Sequence, residues 1–302
     1  MRIALVEHNN GKRALGRVED DQIIDLSAWL GDLGPCPLAT FIERTRHEPA
    51  PENGPRLPLA DIRWLPTALG SAAAVCVGVN YSAHARLVAK RTGTPATTAD
   101  SLPALFIKQW GALTGHRSPI LRPRVSTWLD FEGELVAVVG RRCRHVSRDE
   151  ALGVVAGYTI GQDGSVRDWQ RTAPTPTAGK NFHRSGSLGP WMVTADEIPD
   201  PADLTIRTTL NGEVMQQASV DEMIHDLPAL ISHLSTFTEL APGDVIFTGT
   251  PAGALADRSN DRWLRPGDVV KVEISGVGSL ENVVADEQAD GRSFHESRQP
   301  NP

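Results

Sequence analysis

The amino-acid sequence predicts an α+β fold dominated by strands, and three observations carry that prediction. Aromatic residues make up only 5% of the chain while glycine (27) and proline (22) are plentiful, a balance that suits loop-rich sheets better than a helical bundle. Short apolar runs rich in Val, Ile and Leu recur between turn signals along most of the chain. The pattern Leu-x-Pro-Gly-Asp-Val also occurs twice, at 240–245 and 264–269. Pro-Gly favours a type II turn, because glycine accepts the positive φ at its third position, and each turn would launch a buried strand.

Taken in order, residues 1–26 read as a small β unit: MRIALVE, the turn HNNGK, RALGRVED and QIIDL. SAWLGDLG and LATFIERTR then show helical spacing of apolar residues. The Pro-rich stretch 48–60 reads as a linker. A small N-terminal α/β domain over 1–68 is therefore expected, followed by a main domain over 69–286 and a polar, disordered tail over 287–302. In the main domain, AAAVCVGVN, PALFIKQ, GELVAVVG, GYTIGQD, PWMVTAD, LTIRTTLNGEV, DVIFTGTP and DVVKVEISGVG read as strands. RDEALGVVA, capped by Ser147, and MIHDLPALISHLSTF read as helices, with Pro228 confined to a first turn or a kink.

Bulk properties narrow the function. The 302 residues carry a net charge of −7 and no dense Lys/Arg block, so a nucleic-acid partner is not expected. The three cysteines Cys36, Cys76 and Cys143 form neither a disulfide framework nor a CxxC knuckle. No signal peptide or membrane-length apolar run is evident, which makes a reducing cytoplasm the expected location.

The most informative stretch is LDFEGELVAVVG (129–140), which begins polar and becomes continuously apolar, as a strand does on entering a core. Side chains alternate along a strand, so Glu132 and Glu134 would share a face about 7 Å apart, with Asp130 beside them if the strand extends that far. Like charges on a hydrophobic strand call for a neutralising partner, and a hard divalent cation favours such oxygens. Asp163, after another strand-like run, offers a third ligand. On its own, Glu-x-Glu fits a solvated edge strand better than a metal site, because charges usually stay solvated.

Context narrows the choice. DFEGELVAVVG, GYTIGQDGSVRDWQ, GKNFHRSGSLGPWMVTADEIPDP, LNGE, MIHDLPALISHLS, LAPGDVIFTGTPAG and LRPGD occur in the order found in the fumarylacetoacetate hydrolase superfamily, and the upstream VGVNYSAHA resembles its Asn-Tyr-x-x-His segment. The resemblance covers about residues 69–285. It implies a mixed, rolled β-sheet, assembly as a homodimer, and Glu132, Glu134 and Asp163 as ligands to Mg²⁺, with Mn²⁺ or Ca²⁺ substituting. It also implies a small-molecule carboxylic acid as substrate, with chemistry passing through an enolate: C–C hydrolysis of β-diketo acids, decarboxylation, isomerisation or dehydration. Lys180 matches the family's active-site lysine, Gln170 a substrate hydrogen-bonder, and Thr250 a loop that binds the substrate carboxylate. Arg167 matches as either a substrate contact or a structural partner of an acid, Asp168 and Lys108 have equally divided prospects, and Tyr81 would line the pocket or pack in the core. His84 is the general-base candidate, since histidine titrates near neutrality.

Three positions depart from the pattern. Leu87 stands where relatives carry the Glu of His-x-x-Glu, His183 where they often carry Asp, and Gln162 where many have Asn. Leucine cannot orient an imidazole. Either another acid replaces the partner, with the stretch 88–101 as a lid that could supply Asp100, or His183 takes the base role, or hydrolysis has given way to isomerisation, tautomerisation, decarboxylation or dehydration. The expectation is a metal-dependent hydrolase cleaving a small β-diketo acid; the non-hydrolytic reactions and a non-catalytic oxo-acid-binding protein are the alternatives.

Overall fold

The computed structural model describes residues 1–258 and 262–288. The expected tail falls largely outside the described residues.

Two sheets organise the molecule. A 12-stranded sheet runs, in its main path, from Arg56–Pro58 through the three N-terminal strands to Gly186–Thr194, Val155–Gln162, Gly133–Val139, Val245–Phe247, Ala74–Gly78 and Ala104–Ile107. A five-stranded sheet holds Glu213–Ser219, Thr205–Leu210, Val269–Ile274, Gly278–Asp286 and Ile120–Arg122. The sheet is continuous across residue 68, because Arg2 and Ile3 of the first strand pair with Val193 and Met192. Part of the expected linker is a strand, Arg56–Pro58, which pairs with Gln22–Ile24, and just beyond it Ile62–Trp64 pairs with Val6–His8.

The strand Gly133–Val139 explains how the sheet is covered on both faces. All seven of its residues are buried. Leu135, Ala137 and Val139 enter a core shared with Ile231, Leu234 and Ile274, whereas Val136 and Val138 enter one shared with Ile3, Leu5 and Phe41. A period of two thus divides one strand between two cores, which is why it reads as continuously apolar.

The helix over Leu227–Phe237 carries Pro228 in its first turn, and Asp226 caps it by accepting from Ala229 N–H at 2.8 Å. RDEALGVVA forms a 3₁₀ helix, Arg148–Val154, with Glu150 reaching back to the Ser147 hydroxyl at 2.7 Å. LTIRTTLNGEV, expected as one strand, folds back as a hairpin in which Asn211 and Gly212 take positive φ, the signature of an Asn-Gly turn. VGVNYSAHA is a strand that stops at Gly78, followed by the helix Ser82–Thr92. No helix among the described residues is long and apolar enough to cross a membrane.

Candidate active site

Antiparallel pairing brings the acids together. Gly133 opposes Gln162, so one step further Glu132 lies beside Asp163, and Asp163 N–H donates to the Glu132 carbonyl at 2.8 Å. Glu132, Glu134 and Asp163 are all buried, with carboxylate oxygens within 4.8 Å of one another. Asp130, expected on the same face, turns away: it accepts from Leu255 and Ala256 N–H at 2.9 and 3.0 Å and pairs with Arg167 at 2.8 Å. The chain leaves strand geometry at Phe131 and Glu132, which breaks the alternation.

Three buried cations brace this floor. Lys180 Nζ reaches Glu132 and Asp163 at 2.6 Å each. Lys108 Nζ reaches Asp163 and the Lys180 carbonyl, both at 2.5 Å. Arg167 bridges Asp130 and Glu132 at 2.8 and 2.7 Å, and donates to Gln170 Oε1 at 2.8 Å. Arg167 and Lys108 both brace acids, and Arg167 also lines the cavity above them; Asp168 accepts from the Ser126 hydroxyl at 2.8 Å.

The charges do not cancel. Four carboxylates, those of Asp130, Glu132, Glu134 and Asp163, face Lys108, Lys180 and Arg167. Burial pushes Glu132 up, but Lys180 and Arg167 outweigh it and hold the carboxyl at about 2. Glu134 is the acid left over. It accepts a hydrogen bond from Gly249 N–H at 2.8 Å, while burial, and then Asp163 and Glu132, raise its pKa well above the carboxylate range. A buried set of hard oxygen donors with one uncompensated negative charge fits a divalent cation. The Gly249 donor depends on a φ of +96°, and a Cβ there would come within 2.7 Å of the Asn80 side chain.

A cavity of about 670 Å³ opens above this floor, and Glu132, Lys180, Gln170, Thr250 and His84 all line it. Thr250 is committed within the protein: its hydroxyl donates to the Gly133 carbonyl and accepts from Gln216 Nε2, each at 2.8 Å. Val77, Val88 and Phe106 supply an apolar wall, and Arg91 and Arg171 also line the cavity. Val79, another lining residue, holds a φ of +56°, a strained conformation for a β-branched side chain.

His84 is where sequence reasoning was incomplete. Its Nδ1 lies 3.1 Å from Asp257 Oδ2, and the Asp257 carboxylate also accepts from Gly253 N–H at 3.0 Å. Burial raises the Asp257 pKa, but the hydrogen bond and charge of His84 prevail and lower it. The missing partner of the imidazole is therefore supplied, and not by the stretch 88–101: Asp257 comes from the turn after Thr-Gly-Thr-Pro, on the opposite side of the sequence. Leu87 is 39% exposed and is not among the residues lining the cavity. His183 is exposed on a turn outside the cavity, so it is not placed to act as base. Tyr81 also does not line the cavity: it is 1% exposed in the core, pairs as a bridge with Met223, and leaves its hydroxyl without a partner among the described residues.

A β-rich fold that gathers a buried carboxylate triad, a lysine and a histidine–aspartate pair defines a class of protein with an acidic, metal-competent centre. The sequence signature of the fumarylacetoacetate hydrolase C-terminal family matches residues 73–285, and the chain belongs to that family. It is 36% identical over 271 residues to the mitochondrial oxaloacetate tautomerase FAHD2A of Bos taurus, covering 87% of this chain and 83% of the relative. It is 38% identical over 228 residues to a 4-hydroxyphenylacetate degradation bifunctional isomerase/decarboxylase of Salmonella dublin, covering 75% of this chain and 49% of that protein. Among solved structures, maleylpyruvate hydrolase from Sphingobium sp. SYK-6 in complex with manganese(II) and pyruvate matches with a TM-score of 0.75 and 28% identity, over 95% of this chain and all of the other (100%). The family therefore includes tautomerases, isomerases, decarboxylases and hydrolases.

Proposed function

We propose that this protein is a divalent-metal-dependent enzyme that cleaves a C–C bond in a small acylpyruvate-like β-diketo acid. The observation that carries this reading is the His84–Asp257 pair at 3.1 Å, in which His84 lines the same cavity as Glu132 and Lys180 and Asp257 stands behind it. A base held by its own acid is the part of the hydrolytic apparatus that Leu87 had put in question.

Glu132, Glu134 and Asp163 would hold Mg²⁺ or Mn²⁺, which would supply Lewis-acid stabilisation of enolate charge. Asp257 keeps the proton on His84 Nδ1, leaving Nε2 as the base that takes a proton from water. The activated water adds to the distal carbonyl, the C–C bond breaks, the electron pair passes into the enolate of the pyruvate half, and His84 returns its proton to that enolate to give pyruvate. Lys180 places a cation beside that charge, and Gln170 offers its amide N–H to a substrate oxygen, since its carbonyl is occupied by Arg167. Arg91 and Arg171 also line the cavity, and Arg91 lies 3.5 Å from Asp257.

A second reading, keto–enol tautomerisation of a 2-oxo acid, is favoured by the likeness to the oxaloacetate tautomerase over 87% of the chain. It uses the same base on a carbon-bound proton and needs no water. Product analysis separates the two. With Mn²⁺ and acetylpyruvate, hydrolysis yields acetate and pyruvate, whereas tautomerisation changes the enol absorbance and leaves the mass unaltered. Full turnover by Glu132→Ala on either substrate would refute both.

A further inference from the structure

A second cavity, of about 760 Å³, lies where the N-terminal strands meet the turn before Ile120–Arg122. Arg63, Arg117, Arg184, His116, Trp64 and Glu7 line it, and it shares no residue with the active-site cavity. Glu7 is spent on Arg63, at 2.7 Å. Arg184 donates to the Thr114 hydroxyl at 3.3 Å, and among the described residues neither Arg117 nor Arg184 pairs with a carboxylate.

His116 is only 9% exposed, and its Nδ1 accepts from Glu281 N–H at 3.1 Å. A nitrogen that accepts carries no proton, so the neutral ring keeps its proton on Nε2, for which the described residues supply no acceptor. Burial, and then the charge of Arg117, lower the His116 pKa to about 4, which makes the ring a neutral donor at physiological pH. Trp64 stands edge-on to the imidazole at 5.6 Å and fixes its plane. Arg117 and Arg184 also hold positive φ, +57° and +50°. Such backbone costs on the order of 1 kcal/mol or more per residue, and here it aims two arginines at one cavity.

We propose that this cleft is a binding site for a small anion bearing a carboxylate or phosphate group, with Arg117 and Arg184 supplying charge and His116 a directed N–H. Guanidinium groups match either oxyanion through paired N–H donors.

The test titrates the full-length protein with inorganic phosphate and, separately, with citrate. Calorimetry measures affinity, and the His116 imidazole resonance reports the place. Saturable binding that moves the His116 signal and weakens about tenfold or more in Arg117→Asn and Arg184→Asn supports the site; the anion that binds tells phosphate from carboxylate. Asparagine tolerates left-handed backbone, so both variants should fold. Added salt should also weaken binding. The proposal is overturned if neither anion binds, or if binding leaves His116 unmoved. It is equally overturned if both variants keep wild-type affinity, or if they change only the sedimentation of the protein, which would make the cleft a contact between copies of the chain.

Discussion

The two cavities differ in the sign of the charge they leave unbalanced. In the active site the surplus is negative and buried, and Glu134 bears it between Asp163 and Glu132. In the cleft the surplus is positive and closer to solvent, and Arg117 and Arg184 bear it. Burial decides how costly each surplus is. An exposed guanidinium is relieved by water and salt, whereas a carboxylate inside a core must protonate or recruit a cation. The first cavity is therefore suited to a hard metal ion, whereas the second can bear its surplus without a ligand.

The largest expected effect comes from removing the buried surplus. Glu134→Gln should eliminate metal-dependent turnover and the rise in Tm on adding Mn²⁺, measured by activity assay and calorimetry. The wild-type effect should also depend on pH with a definite sign. Because the folded-state pKa of Glu134 is raised, the metal-free fold binds an extra proton, and its stability falls as pH climbs above the unfolded carboxyl value. Metal competes with that proton, so the Mn²⁺-induced rise in Tm should be larger at pH 8 than at pH 5.5. An equal rise at both values would show that Glu134 is not the surplus acid.

Next in size is Lys108→Met. Lys108 is wholly buried against Asp163. Removing it enlarges the negative surplus and should cost about 3–5 kcal/mol of stability in denaturant titrations without metal. The smallest of the three is Asp257→Asn, which should lower kcat about 10²-fold with little change in metal affinity, because Asp257 contacts His84, Gly253 and Arg91 but none of the three metal-candidate acids. A loss of metal binding in that variant would mean that Asp257 supports the floor rather than the base.

Much of this site was legible in the sequence, and the exceptions share a cause. Glu132, Glu134, Asp163, Lys180, Gln170 and His84 lie in short motifs whose spacing survives folding, and they meet in one place. Asp257 lies 173 residues from His84, in a run with no chemical signature, so only the tertiary fold brings them together. The role of Asp130 was obscured by a break in strand geometry at Phe131 and Glu132, which no alternation rule foresees. Tyr81 shows the converse: a residue adjacent to a functional motif can point into the core, because the chain turns from strand to helix around it. The strand order likewise hid the role of residues 1–68, since the pairing of Arg2 with Val193 is a long-range choice.

That pairing gives the leading segment a protective duty. Without residues 1–68, the strand Gly186–Thr194 would present its Met192–Val193 end as bare amide and carbonyl groups beside a stripped apolar core. Such an edge is a template for any passing strand, so the first 68 residues serve as a lid on stickiness as much as a wall of the molecule.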